Sequence, residues 1–216
     1  MLEAQPSTSQ PDPDSASELP RSGEKYDRIL DAAIEVIAEK GLARTRISDI
    51  ASRAGVADGT IYLYFKNKNH ILRSAIDSAF AQFSARVSVA LSSAHSPVEQ
   101  LAIIALLHLQ TLSSRRSFAV ILQTEVRQSA RFIAEFTHDA LSSYINLVRD
   151  VIRRGQADGV IRRQISDRVA ALCFFGALDE IISSWLFTGK PIDPEHAAGQ
   201  VLAVLLHGMS TLPRNA

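Results

Sequence analysis

Side chains able to do covalent chemistry are few and scattered. The chain has 216 residues, with six histidines and one cysteine. His70, His95, His108, His138, His196 and His207 form no close metal-spaced pair with one another or with Cys173, so no metal site is expected. Asp179 and Glu180 are adjacent, so on a helix they point in different directions and make a poor acid–base pair. Pocket lining or a bond across a subunit boundary suits them better. No phosphate-binding glycine loop or nucleophile elbow occurs. Cys173 lies in an apolar run and is expected to be inert, and a single cysteine excludes an internal disulfide framework. His108 also lies in an apolar run, where a hydrogen-bonded core residue and a pocket residue are both open readings. No catalytic residue and no cofactor is expected, and the chain does not read as an enzyme.

Cationic chemistry does concentrate. Lys plus Arg is 23 and Asp plus Glu is 23, so the chain is neutral and carries no global coat for nucleic acid. Yet Arg44, Arg46, Arg53, Lys66 and Lys68 share one short stretch with only two acids, Asp49 and Asp58. That local excess is a phosphate footprint.

The elements that must carry these groups read as helices throughout. Ile29, Leu30, Ala33, Ile34, Ile37 and Ala38 share one face, and Gly41 closes that helix. A short helix near 48–54 ends at Gly55, and another starts at Asp58 as its N-cap and runs to about Phe65. The turn Gly55-Val56-Ala57 between them is what a helix-turn-helix requires. Ile47, Ile50, Ala51, Ala54, Val56, Ile61 and Leu63 supply its small core. A long helix near 68–92 follows, then helices near 97–113, 117–128, 130–156, 166–188 and 194–210. The fold class is therefore all-α, about nine helices, with a three-helix unit that contains the helix-turn-helix before a larger helical unit.

The domain boundaries expected are 1–22, 23–69 and 70–212. Residues 1–22 are rich in Pro, Ser and Asp and read as a disordered acidic arm without a targeting signal. No membrane span is expected, because the run 101–109 is too short and the run 169–187 contains Asp179 and Glu180. A reducing cytoplasm fits the lone cysteine. The last two helices are apolar on more than one stripe, so each buries more than one face. One reading is a central core helix. The other is a homodimer interface through Leu172, Phe174, Leu178, Ile182, Trp185, Val201 and Leu205.

The stretch Gly55-Val56-Ala57-Asp58-Gly59-Thr60-Ile61-Tyr62-Leu63-Tyr64-Phe65-Lys66-Asn67-Lys68 closely resembles the helix-turn-helix signature of TetR-family transcriptional regulators. Ile29-Leu30-Asp31-Ala32-Ala33 and the stretch 45–50 match the family's first two helices. Ala57 departs from the usual Ser, and Asn69 from a common Glu. The resemblance implies a homodimer on a pseudo-palindromic double-stranded operator. By position, Thr45 and Arg46 would approach phosphate, and Asp58-Gly59-Thr60 would lead the recognition helix into the major groove. Tyr62, Tyr64, Lys66 and Lys68 would meet the backbone, with Arg46, Ala57, Asp58 and Thr60 as base-reading candidates. Asp58 also has the plainer reading of a helix cap.

Glu125-Val126-Arg127-Gln128-Ser129 and Gly176-Ala177-Leu178-Asp179-Glu180 followed by Trp185 resemble, together with the signature, the branch that represses fatty-acid degradation genes and answers long-chain acyl-CoA. An acyl chain needs an apolar tunnel, for which Leu101, Ile104, Leu107, Phe118, Leu122, Phe136, Tyr144, Leu147 and Phe175 are candidates, with His108 and Asp179 as polar members. A CoA head needs cations. Arg86, Arg127 and Arg131 are the candidates, with Arg149, Arg153 and Arg154 on the same helices. Ligand between the fifth, seventh and eighth helices would displace the fourth and respace the recognition helices. Two other readings stay open. One is a TetR-like repressor of an efflux or other pathway answering a different hydrophobic ligand. The other is a TetR-fold factor that binds DNA or protein without regulating transcription.

Overall fold

The computed structural model describes residues 21–126 and 138–209, and among them it contains nine α-helices and no strand. They are α1 (Arg21–Lys40), α2 (Ile47–Ala54), α3 (Asp58–Tyr64), α4 (Lys68–Leu91), α5 (Pro97–Ser114), α6 (Arg116–Ile121), α7 (His138–Ala157), α8 (Asp167–Thr188) and α9 (Pro194–Met209). The acidic arm lies outside the described residues as far as residue 20, and α1 begins at Arg21.

Local chemistry sets the helix ends. Gly41 and Gly55 hold left-handed φ angles of 78° and 66°, which glycine adopts without a Cβ penalty. At Gly55 the turn closes by Val56 N–H donating to the Ala51 carbonyl at 3.0 Å. The Arg46 N–H donates to the Asp49 carboxylate at 2.9 Å, capping α2 from within. Asn67 caps α4 by accepting the His70 N–H at 2.9 Å. Ser96 does the same for α5, with Pro97 at its first position. The cap of α3 corrects the sequence reading: Ala57 is the N-cap and Asp58 the first helical residue, so the Asp58 carboxylate is not the cap.

Ile29 and Ile37 of α1, Ile50 of α2, Ile61 of α3, Phe65 just beyond α3, and Ile71 of α4 close a first core. Burial of each such side chain contributes ~1.5–3 kcal/mol. Here α1 packs on α2, α4 and α6, so the DNA-binding unit shares a wall with the larger unit. In that larger unit α5 packs against α7, α9, α4 and α8.

Two features depart from expectation. The helix read near 117–128 stops at Ile121 and continues as a π-helical turn, Leu122–Val126. By length and composition α8 is sufficient to cross a bilayer, but it packs against α5, α6, α7 and α9 as a central helix. Its Phe174, Leu178 and Ile182 are fully buried within the chain. They are core residues and are withdrawn from the expected dimer face. A helix apolar all round gives no sign in sequence of which stripe its own chain covers.

Candidate functional site: the helix-turn-helix face and a cavity in the larger unit

The surface expected to meet DNA is α3 and its flanks. Ala57, Asp58, Gly59, Tyr62, Leu63 and Lys66 are exposed there, and Thr60 and Tyr64 half-buried. Leu63 is 81% exposed, which removes it from the expected core and places an apolar side chain beside Tyr62 on the outer face. Tyr26 of α1 stacks on Phe65 at 5.0 Å and meets Tyr64 edge-on, so an aromatic cluster holds α3. Sequence reasoning missed Tyr26, because its partners are nearly forty positions away.

Several expected phosphate ligands are committed elsewhere. Thr45 is 2% exposed and its hydroxyl donates to the Gly41 carbonyl at 2.9 Å. Lys68 Nζ donates to the carbonyls of Ala43 and Thr45 at 2.9 and 3.1 Å. Both residues therefore tie down the α1–α2 loop and are corrected from phosphate ligands to loop anchors. Arg53 is bound by Glu35 and Glu39 of α1 at 2.8 and 2.9 Å. Those hydrogen bonds hold the Glu39 carboxyl below its ordinary range and raise the Arg53 guanidinium still further. Lys40 pairs with Asp49 at 2.9 Å and, with the Arg46 N–H, lowers that carboxyl too. The cationic excess read from composition is thus partly neutralised by α1. Arg46 and Lys66 stay exposed beside α3.

The larger unit holds a partly open cavity of about 280 Å³ between α4, α5, α6, α7 and α8. That is near the lower end of the ~300–1,000 Å³ common for ligand pockets. Its apolar wall includes Phe80 and Phe83 of α4, Phe118 of α6, Leu122 and Val126 of the π turn, and Phe175 of α8. Four polar side chains reach it: His108 and Thr111 one helical turn apart on α5, Tyr144 on α7 and Asp179 on α8. His108 Nδ1 lies 3.1 Å from the Tyr144 hydroxyl. Burial pushes His108 down to about 4 and pushes the Tyr144 phenol up, the latter aided by the Asp179 charge, so both are neutral. Thr111 accepts from Arg86 at 3.3 Å, which brings a cation to the cavity edge.

Six expected pocket residues thus meet at one place: His108, Phe118, Leu122, Tyr144, Phe175 and Asp179. Leu101 and Ile104 are fully buried core, and Leu107 and Leu147 are half-buried away from the cavity, so these four are corrected. They face other stripes of α5 and α7. Arg127, Arg131 and Phe136 lie outside the described residues. Arg149 and Arg153 are held by Asp167 at 2.9 and 2.8 Å, and Arg154 by Gln100.

The π turn is the structural link that the sequence did not reveal. Within five residues it lines the cavity with Leu122 and Val126, bonds Gln123 to Asp179 at 2.8 Å, and offers Glu125 to the loop that follows α1. Glu125 Oε1 accepts the backbone N–H of Leu42 at 3.0 Å. A turn of this type inside a helix is a frequent mark of function.

On the outside of α8 and α9, Leu172, Cys173 and Val204 are exposed, and Phe187 is 90% exposed. Trp185 is half-buried under the Arg116 guanidinium, 5.3 Å from its ring, and Val201 and Leu205 are half-buried.

Known proteins bear on these features as follows. The family model described as bacterial regulatory proteins, tetR family, matches residues 29–75. The one described as YsiA-like protein, C-terminal region, matches residues 76–208, so the two meet inside α4. The fatty acid metabolism regulator protein of Bacillus subtilis strain 168 is 35% identical over 185 residues, 86% of this chain and 95% of that protein. The structure of the fatty acid degradation regulator FadR from Bacillus halodurans superposes with a TM-score of 0.81 at 33% identity, covering 89% of this chain and 97% of that one. FadR from Bacillus subtilis in complex with stearoyl-CoA gives 0.80 at 35% identity, covering 85% and 98%. A helix-turn-helix, a helical unit with a cavity, and similarity to a regulator over 86% of this chain and 95% of that protein place this chain in the TetR family of bacterial transcriptional regulators.

Proposed function

We propose that this chain is a repressor of fatty-acid degradation genes that binds a pseudo-palindromic operator as a homodimer and is released by long-chain acyl-CoA. The observation that carries the reading is the shared π turn. Leu122 and Val126 wall the cavity, and Glu125 between them holds the loop that follows α1. The stearoyl-CoA complex of the Bacillus subtilis relative supports the ligand class. Arg86 at the cavity edge supplies a cation for an acidic head group.

Two routes lead from the cavity to the DNA-binding face. Helix α4 runs unbroken from Lys68 beside α3 to the cavity wall at Phe83. The π turn leads to Leu42. A ligand shifts the DNA equilibrium only by its differential affinity for the two arrangements, so filling the cavity must strain one route or the other. Arg46, Ala57, Asp58, Gly59, Thr60, Tyr62, Tyr64 and Lys66 form the proposed DNA surface. The outward stripes of α8 and α9, with Leu172, Phe187 and Val204, are proposed to meet the partner subunit, at an interface that also takes in Trp185, Val201 and Leu205 at its margin. Its place of work is the cytoplasm.

A gel shift with DNA from upstream of the protein's own gene, titrated with palmitoyl-CoA, palmitate and CoA alone, tests the reading. Release by the acyl-CoA only is expected. DNA binding that no thioester disturbs would refute the effector.

A further inference from the structure

We infer that the cavity recognises an oxygen atom of its effector, a carbonyl or hydroxyl placed against His108 Nε2, and so selects an oxygen-bearing chain over an all-methylene one. This rests on the acyl-CoA reading of the same cavity and specifies its ligand chemistry.

His108 is 6% exposed, lines the cavity, and its Nε2 has no hydrogen-bond partner among the described residues. A buried polar nitrogen left unmet is costly, and native interiors rarely tolerate one. Each neighbouring polar side chain makes at least one bond within the protein. Thr111 takes Arg86, Asp179 takes Gln123, and the Tyr144 hydroxyl takes His108 Nδ1. Rings fix the imidazole on two sides, Tyr144 at 5.7 Å and Phe175 at 5.8 Å between centroids. Its remaining nitrogen is thereby held in a fixed place at a cavity whose wall also carries Thr111, Tyr144 and Asp179.

Both tautomers lead to the same ligand class. If the Tyr144 hydroxyl donates to Nδ1, then Nε2 carries the proton and donates to a carbonyl or ether-like oxygen. If Nδ1–H donates to Tyr144, then Nε2 accepts from a hydroxyl. A methylene chain offers neither. The oxygen has two possible sources in an acyl-CoA: the thioester carbonyl itself, or a hydroxyl or oxo substituent along the chain, as in an oxidised acyl intermediate.

Calorimetry on the full chain separates these sources with palmitoyl-CoA, its thioether analogue S-hexadecyl-CoA, and 3-hydroxypalmitoyl-CoA. A site built around a hydrogen bond rejects the analogue lacking it, here by about tenfold or more. If the thioester is the source, palmitoyl-CoA binds at least tenfold tighter than the thioether. If the chain is the source, the hydroxyacyl ligand binds at least tenfold tighter than palmitoyl-CoA. In either case His108→Leu brings that ratio close to one. His108→Gln, whose amide reaches the Nε2 position, keeps part of the ratio and guards against a folding defect in the leucine variant. Equal affinities for all three ligands, or a ratio that His108→Leu leaves intact, overturns the inference and leaves the acyl-CoA reading standing. Failure of all three to bind the native chain overturns that reading and this one with it.

Discussion

Replacing Glu125 with alanine is expected to uncouple the cavity from the DNA-binding unit. The carboxylate is half-buried and accepts the Leu42 N–H at 3.0 Å across 83 positions of sequence. A hydrogen bond to a charged acceptor contributes ~1.5–3 kcal/mol when well shielded, and partial exposure lowers this to roughly 1–2 kcal/mol. If effector binding works against this bond, its loss removes up to that much coupling free energy. At 1.4 kcal/mol per decade the ratio of effector affinities for free and operator-bound protein then falls by about five- to thirtyfold. Effector affinity for the free protein should change far less, because Glu125 does not line the cavity. The assay is isothermal titration of palmitoyl-CoA into native and Glu125→Ala protein, each with and without operator. An unchanged affinity ratio in the variant would refute the π-turn route and leave α4 as the carrier.

Other perturbations have equally definite outcomes. Lys68→Ala should lower stability by about 1 kcal/mol through loss of the α1–α2 loop anchor. Lys66→Ala should instead leave the thermal midpoint in place and reduce the salt slope of operator binding by about one; equal thermal losses in the two would contradict the assignment. Gly55→Ala puts a Cβ on a φ of 66°, 3.1 Å from the Arg28 guanidinium, and should cost ~1–2 kcal/mol in a urea titration. For Arg53→Gln the pH dependence carries the test. Glu39 has a folded pKa lowered from 4.5, so its contribution is present above that value and lost as pH falls through the lowered one. The gap in thermal midpoint between native and Arg53→Gln protein should therefore close as the pH falls below 4.5 and on through the lowered Glu39 value, and a gap that persists once Glu39 is protonated would argue that Arg53 acts by packing alone.

The DNA-binding unit was legible because its information is local. Gly41 and Gly55 stop helices by their own backbone freedom, and Ile50, Ala51 and Ala54 mark one face of α2 at helical spacing. The motif from Gly55 to Lys68 sits in one contiguous stretch, and the family follows from it. Charge was less legible than apolar pattern. Arg53 and Lys68 look alike in sequence to Lys66, yet their partners lie on α1 and its loop, 14 to 25 positions away. No periodicity reveals such pairing.

Sequence by itself determined an all-helical chain, the helix-turn-helix and its turn, and a surplus of apolar surface on α8 and α9. Tertiary structure alone decided how that surplus is spent: Phe174, Leu178 and Ile182 face inward, and Leu172 and Phe187 face out. It also chose His108, Tyr144, Phe175 and Asp179 from three separate helices to share one cavity, and turned the end of α6 into a π turn reaching the loop that follows α1. The reason is physical. Helix formation is governed by neighbours within one or two turns, whereas a cavity is the space left when several amphipathic surfaces pack, and its lining depends on the rotation of each helix about its axis.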